Sequence, residues 1–240
     1  MKLIKSATLA VLLAAAGLMG ATAQAQDAAI RKTLAERLPQ LGKIDEISKT
    51  PMSGLFEIRV GNDVFYTDAD GHFLIQGHLI DTKAQRNLTE ERLEKLMAID
   101  FSVLPVKDAF TIVRGNGKRK IAVFEDPNCG YCKRFERDLQ KVDNVTIYMF
   151  LYPILGRDSA EKSRDIWCAK DKARAWQDYM VRDQSAPSGS CDTTALGRNL
   201  EFGKKHKITG TPTLFFADGT RVPGAIGAPQ VEKLLADAKQ

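Results

Sequence analysis

The chain carries 240 residues, 35 Lys and Arg against 30 Asp and Glu, a formal net charge of +5 and 4 cysteines. Basic residues are interleaved with acids apart from the cluster Lys118-Arg119-Lys120. That pattern suits a solvated surface with a turn and argues against a nucleic-acid partner.

Lys2 and Lys5 precede an uncharged apolar stretch from Ala7 to Met19, and A-x-A sites follow at Ala21-Thr22-Ala23 and Ala23-Gln24-Ala25. This is the layout of a cleaved secretory signal peptide over 1–25, with Ala25 the expected cleavage point and Ala23 the second choice. The apolar run falls short of the ~20 residues a bilayer-spanning helix needs. Without the two leader lysines the net charge drops from +5 to +3. Roughly 215 residues remain, comfortable for two modest domains.

The next stretch, Asp27 to Leu38, repeats Ile30, Leu34 and Leu38 at helical spacing and stops at Pro39 and Gly42. Strand-like runs follow. Leu55 to Val60 and Val64 to Tyr66 flank Gly61-Asn62-Asp63 as a hairpin, and Asp70-Gly71 turns the chain into a run from His72 to Ile80. His72 and His78 read as sheet residues rather than metal ligands. A helix plus antiparallel meander over 26–85 buries little core, and pairing through an exposed sheet edge is an economical remedy. Asn87-Leu88-Thr89-Glu90 then starts a helix of about three turns with Leu93, Leu96 and Met97 on one face. It lies within 86–104, ends before Pro105, and reads either as a connector or as a helix packed on one domain.

From 105 to 240 the order is strand, turn, strand, helix, strand, helices, strand, strand, helix. Phe110 to Val113 and Ile121 to Phe124 are joined across Gly115-Asn116-Gly117. Phe135, Leu139 and Val142 mark the inner face of the next helix, and Val145 to Leu151 suits a fully buried strand. A long helical stretch, Ser159 to Arg182, leads into the Ser185–Ser190 loop. After Pro212 come Thr213 to Phe216, the turn Ala217-Asp218-Gly219, Thr220 to Val222 and a helix from Pro229 to Ala238. No internal repeat or low-complexity segment follows the leader.

Outside the cytosol an even cysteine count reads as disulfides. The two-residue spacing of Cys129-Gly130-Tyr131-Cys132 makes that pair a unit of its own, which leaves Cys168 with Cys191 as a structural bridge. A strand delivers Cys129 to a helix N-terminus, where unpaired N–H groups and the dipole favour a thiolate, with thiol pKa values of roughly 3.5–7.5 in such settings. Cys129 is therefore the attacking thiol, and Cys132, one turn in, resolves the mixed disulfide. A zinc site lacks a second ligand pair, and c-type haem lacks a histidine after the second cysteine, where Lys133 stands. Neither a metal nor a cofactor is expected. In Thr209-Gly210-Thr211-Pro212-Thr213 a proline opens a strand, at an edge or bend. Taken alone, the Thr211–Pro212 bond would be trans, since about 5–6% of X–Pro bonds are cis.

The order strand, CGYC, helix, helical insert, TGTP, strand, turn, helix resembles the thioredoxin-fold oxidoreductases. The runs Phe124 to Cys132, Asp165 to Lys172, Thr209 to Pro212, Asp218 to Gly224 and, upstream, Gly71 to Gly77 resemble the DsbC branch of periplasmic disulfide isomerases over essentially the whole mature chain. The resemblance implies an α+β protein: a small N-terminal helix-plus-antiparallel-sheet dimerisation domain, a linker helix and a C-terminal thioredoxin-like α/β domain with a helical insertion. It implies a periplasmic homodimer with two catalytic domains facing a cleft, reduced by a membrane electron donor of the DsbD type. Misfolded disulfide-containing proteins would be its substrates. It also implies a cis Pro212 beside Cys129, with Gly130, Tyr131, Thr211 and Pro212 meeting the substrate. One departure stands out: thioredoxin has a buried acid six residues before its first cysteine, where this chain has Val123. The proton acceptor for Cys132 must come from elsewhere, with Glu125 or water as candidates.

The expected function is a thiol–disulfide isomerase and reductase, with room for chaperone binding. A DsbA-like oxidant would have no need of residues 26–85. A holdase with vestigial redox activity would have no need of an intact CGYC.

Overall fold

A computed structural model describes residues 24–238. The signal-peptide reading falls on 1–25 and so lies almost entirely outside the described residues. No described helix is long and apolar enough to cross a membrane. The chain divides into two compact units between Leu96 and Met97.

In the first unit a helix over 24–37 (α1) is followed by the antiparallel strands Glu46–Lys49 (β1), Leu55–Val60 (β2), Asp63–Asp68 (β3) and Leu74–Ile75 (β4), in the order β1-β2-β3-β4. The β2–β3 hairpin pairs Val60 with Asp63, so Gly61 and Asn62 form its two-residue turn, with Gly61 at φ 62°. Ile30 and Leu34 of α1, Ile44, Phe56 and Ile58 make the core, and Leu38 and Leu74 pack against it.

The expected single strand from His72 to Ile80 is not formed. Only β4 pairs with β3, while Ile80–Asp81 (β5) pairs with Arg86–Asn87 (β6) as a separate ribbon. Leu74 alone of this segment's large apolar side chains packs against that core among those described: Phe73 is 70% exposed, Ile75 49% and Ile80 55%. His72 and His78 lie outside strands.

The helix expected between 86 and 104 occupies Leu88–Met97 (α2), with the Asn87 side chain capping Glu90 N–H. Arg92 ties it to the sheet through Glu57 (2.8 Å) and Glu46 (2.7 Å), and the Tyr66 and Thr89 hydroxyls meet. Beyond it Asp100 accepts the N–H of Ser102, and only short 3-10 turns follow, at Phe101–Val103 and Val106–Asp108. Side-chain capture of a backbone N–H competes with helix continuation.

The second unit is built on a five-stranded sheet. Its strands are Phe110–Arg114 (β7), Arg119–Glu125 (β8), Val145–Leu151 (β9), Thr213–Phe216 (β10) and Arg221–Pro223 (β11), in the order β11-β10-β8-β9-β7. Although β7 and β8 are joined by the Gly115-Asn116-Gly117 turn, they do not pair. The apolar β9 lies between them, parallel to β8 and antiparallel to β7. A parallel pair needs a crossover, supplied by Gly130–Leu139 (α3).

Alternation along β8 divides the core. Ile121 and Val123 face Phe135, Leu139, Trp176 and Val231, while Ala122 and Phe124 face Phe150, Tyr152 and Phe215. The long helical stretch is two helices, Arg157–Cys168 (α4) and Lys172–Arg182 (α5), because Asp171 caps the second by accepting Arg174 N–H. A further helix, Thr194–Lys205 (α6), was not anticipated, although Leu196, Leu200 and Gly203 recur at helical spacing. Ala228–Asp237 (α7) closes the unit.

Gly203 lets α6 approach the ring of Tyr152, which a Cβ would overlap, and Tyr152 Oη donates to Ile208 O (2.9 Å). Gly203→Ala is expected to cost about 1–3 kcal/mol through overpacking, read from urea denaturation.

Candidate active site

The chain leaves β8 at Glu125, turns through Asp126-Pro127-Asn128 and enters α3. Asp126 is fully buried and organises the turn. Its Oδ1 accepts from Asn128 N (2.8 Å) and Ser159 Oγ (2.7 Å), and its Oδ2 accepts from Leu155 N (2.9 Å). Asn128 in turn donates to Asp158 (2.7 Å) and accepts from Lys162 Nζ (2.8 Å). Asp126 and Asn128 belong to the run Phe124 to Cys132 that carries the family resemblance, but the sequence attaches no role to them or to their partners Leu155, Asp158, Ser159 and Lys162. Asp126 two residues before Asn128 is the Asx-turn signal that points to it.

Cys129 is the N-cap of α3, and its Sγ accepts the N–H of Cys132 at 3.2 Å. The Thr211 carbonyl lies 3.2 Å from the same sulfur, on the loop whose Thr211–Pro212 bond is cis. The structure thus brings Cys129, Cys132, Thr211 and Pro212 together. Gly130 and Tyr131 sit at the surface beside them, with the Tyr131 ring 71% exposed.

The two thiols differ in environment. Cys129 has its pKa lowered to about 6. The Cys132 side chain contributes most to this, with the Thr211 side chain and the N–H groups of Cys132 and Tyr131 adding to it against partial burial. Cys132 is wholly buried, and burial first, then the neighbouring Cys129 and Glu125, push its thiol far up. One sulfur is therefore a thiolate at neutral pH, and the other keeps its proton until something takes it.

Cys168 and Cys191 are joined in a disulfide with Cα atoms 5.5 Å apart, linking the end of α4 to the segment before α6. Among the described residues one group has metal-ligand spacing, Asp68, Asp70 and His72. Asp68 Oδ1 there accepts the N–H of His72 (2.7 Å) and Phe73 (3.0 Å), a turn-closing role.

A thioredoxin-like sheet that carries a close dithiol at a helix N-terminus defines a thiol–disulfide oxidoreductase. Comparisons with known proteins narrow the class. Residues 106–239 match the thioredoxin-like domain family, and residues 21–90 match the disulfide bond isomerase protein N-terminal domain. The chain is 44% identical over 217 residues to the probable thiol:disulfide interchange protein DsbC of Bordetella pertussis, covering 89% of this chain and 77% of that one. It is 34% identical over 221 residues to the thiol:disulfide interchange protein DsbC of Escherichia coli K12, covering 89% of each. A solved disulfide interchange protein from Neisseria gonorrhoeae superposes with a TM-score of 0.54 at 38% identity, covering 57% of this chain and 99% of that one. The chain belongs to the DsbC family of thiol:disulfide interchange proteins.

Proposed function

We propose that the protein is a disulfide isomerase that rearranges wrong disulfides in secreted proteins through Cys129 and Cys132. The observation that carries this reading is the asymmetry of the two thiols at the N-terminus of α3: one held as a thiolate, one buried and protonated. The Cys129 thiolate attacks a substrate disulfide, so that a Cys129–substrate bond forms and the second substrate sulfur leaves as a thiolate. A different substrate thiolate then displaces Cys129, which completes a rearrangement. Alternatively Cys132 displaces the substrate, which leaves reduced while Cys129–Cys132 closes. The backbone at Thr211 and Pro212 offers an extended substrate chain a place to pair beside Cys129, and Gly130 and Tyr131 frame the approach.

In this proposal residues 1–25 are a signal peptide, 26–85 a dimerisation domain, 86–104 a linker containing α2, and 105–240 the catalytic domain. The protein works as a periplasmic homodimer, and a membrane donor of the DsbD type returns the pair to the dithiol. Bound apolar segments of misfolded chains would add a chaperone function. The test is regain of activity by a scrambled multi-disulfide substrate. The reading requires faster recovery with the reduced protein than with redox buffer alone, and equal rates refute it.

Cys168–Cys191 is a permanent staple in this scheme. Its sequence separation of 23 makes it worth about 3.5 kcal/mol by chain-entropy arguments. Replacing both cysteines with alanine should lower the unfolding free energy by about that much and leave the rate per folded molecule nearly unchanged. Reduction mild enough to open Cys129–Cys132 should leave it closed. A bridge that equilibrates together with the CGYC pair would be a second redox centre instead.

A further inference from the structure

Glu125 and Glu136 are both 0% exposed, on the side of the sheet where Cys132 lies. Strand alternation puts Glu125 on the same face of β8 as Ile121 and Val123, which pack with Cys129 and Cys132. Glu136 stands four residues after Cys132 on α3, hence on the same face of that helix. Of the four carboxyl oxygens only Glu136 Oε1 has a fixed donor, Trp176 Nε1 at 2.9 Å. Glu125 Oε1, Glu125 Oε2 and Glu136 Oε2 are buried with no hydrogen-bond partner of that kind among the described residues.

We infer that Glu125 and Glu136 form a buried carboxyl pair holding one proton between them, and that Glu125 takes the proton of Cys132 when Cys132 resolves a mixed disulfide. The inference rests on the roles proposed for Cys129 and Cys132. Two adjacent carboxylates shut off from water cannot both ionise, because each desolvated charge raises the other's pKa. Burial, then the charge of Glu136, push Glu125 well above the carboxylate range, and Cys132 and Cys129 also act on it. Burial likewise raises Glu136, which the Trp176 indole and the positive charge of Arg114 partly offset. Arg114 enters from β7, half-buried, with one guanidinium nitrogen donating to Leu139 O. The asymmetry assigns the anion mainly to Glu136 at rest, and moving the shared proton across leaves Glu125 as the base beside Cys132.

The Cys132 S–H proton passes to the Glu125 carboxylate, and the resulting thiolate attacks Cys129 Sγ. The Cys129–Cys132 bond forms, the Cys129–substrate bond breaks, and the substrate sulfur carries off the electron pair and is protonated from water. A carboxyl with a raised pKa is a better match to a thiol than an ordinary one, which is what proton transfer in a transition state requires.

The test uses the full-length protein with Cys129 in a mixed disulfide to a chromophoric aryl thiol, whose release reports attack by Cys132. In wild type the rate should rise with pH and level off once the pair has lost its shared proton. Glu125→Gln should slow release about 100-fold near neutrality and replace the plateau with a steady rise towards alkaline pH. Glu125→Asp should recover part of the rate. Glu136→Gln should move the plateau to lower pH, because Glu125 no longer faces a neighbouring charge, and it carries the test should Glu125→Gln fail to fold. Release from Glu125→Gln as fast as wild type at every pH, or a Glu136→Gln profile unmoved, overturns the inference. Fast release from Cys132→Ser would instead overturn the reading on which it rests.

Discussion

Cys129→Ser is expected to bring both disulfide reduction and isomerisation down to the uncatalysed background, while Cys132→Ser keeps part of the isomerisation and accumulates protein–substrate mixed disulfides. The physical reason is the difference between two sulfurs three residues apart. Cys129 caps α3, accepts the Cys132 N–H and has a pKa of about 6. At pH 7 roughly ten thiolates then exist for each thiol, against a few per cent thiolate for an ordinary cysteine. Protonation below the midpoint removes the nucleophile, so alkylation of Cys129 should rise with pH through about 6 and be flat above it. That titration should vanish in Cys129→Ser. Cys132 is buried and protonated, so its removal spares the first attack and deletes only the intramolecular escape. Gel-resolved adducts with a scrambled, disulfide-bearing substrate check the assignment. Equal and complete loss in both variants, with no adduct, contradicts it.

The second large effect concerns assembly. Ile75→Asp is expected to give a monomer by light scattering that retains simple thiol reductase activity but loses isomerisation of a scrambled substrate. β4 is the terminal strand of the first sheet, and Ile75 within it, Phe73 just before it and Ile80 of β5 are exposed to a degree unusual for large apolar side chains. An edge with free N–H and C=O groups and an apolar rim is a template for a second copy, in a two-fold arrangement where the same residues meet. A carboxylate buried there without a partner opposes pairing, and every 1.4 kcal/mol lost weakens the dimer tenfold. Ile75 is the right probe, since Leu74 packs into the core of the first unit and its replacement would test folding. Reduction needs one CGYC. Isomerisation benefits from a second Cys129 close enough to recapture a released chain. A wild-type monomer, or a monomeric variant with full isomerase activity, defeats this account.

Much of this was already legible in the residues themselves. The CGYC after an apolar strand, the hairpin turn at Gly61-Asn62, the apolar run Val145–Leu151 and the stop at Pro39 are local signals, because turn chemistry and side-chain periodicity act within a few residues. The resemblance of long runs to the DsbC branch supplied the architecture. Four features were decided only by tertiary structure. β9 separates β7 from β8, although a Gly-Asn-Gly turn between two strands reads as a hairpin. Strand order depends on which faces bury best, a long-range matter. The stretch from His72 to Ile80 looks continuous by composition yet pairs over only two residues with β3; Leu74 reaches the core of the first unit, while Phe73, Ile75 and Ile80 stay exposed. α6 is held by contacts from distant segments, among them Asn199 Nδ2 to Leu151 O and Arg198 to the buried Asp108, which no local pattern records. Glu125 reads from sequence equally well as a strand-end charge. Only packing shuts it from water beside Glu136 and Cys132. A carboxylate's identity is local, but its protonation depends on everything folded around it.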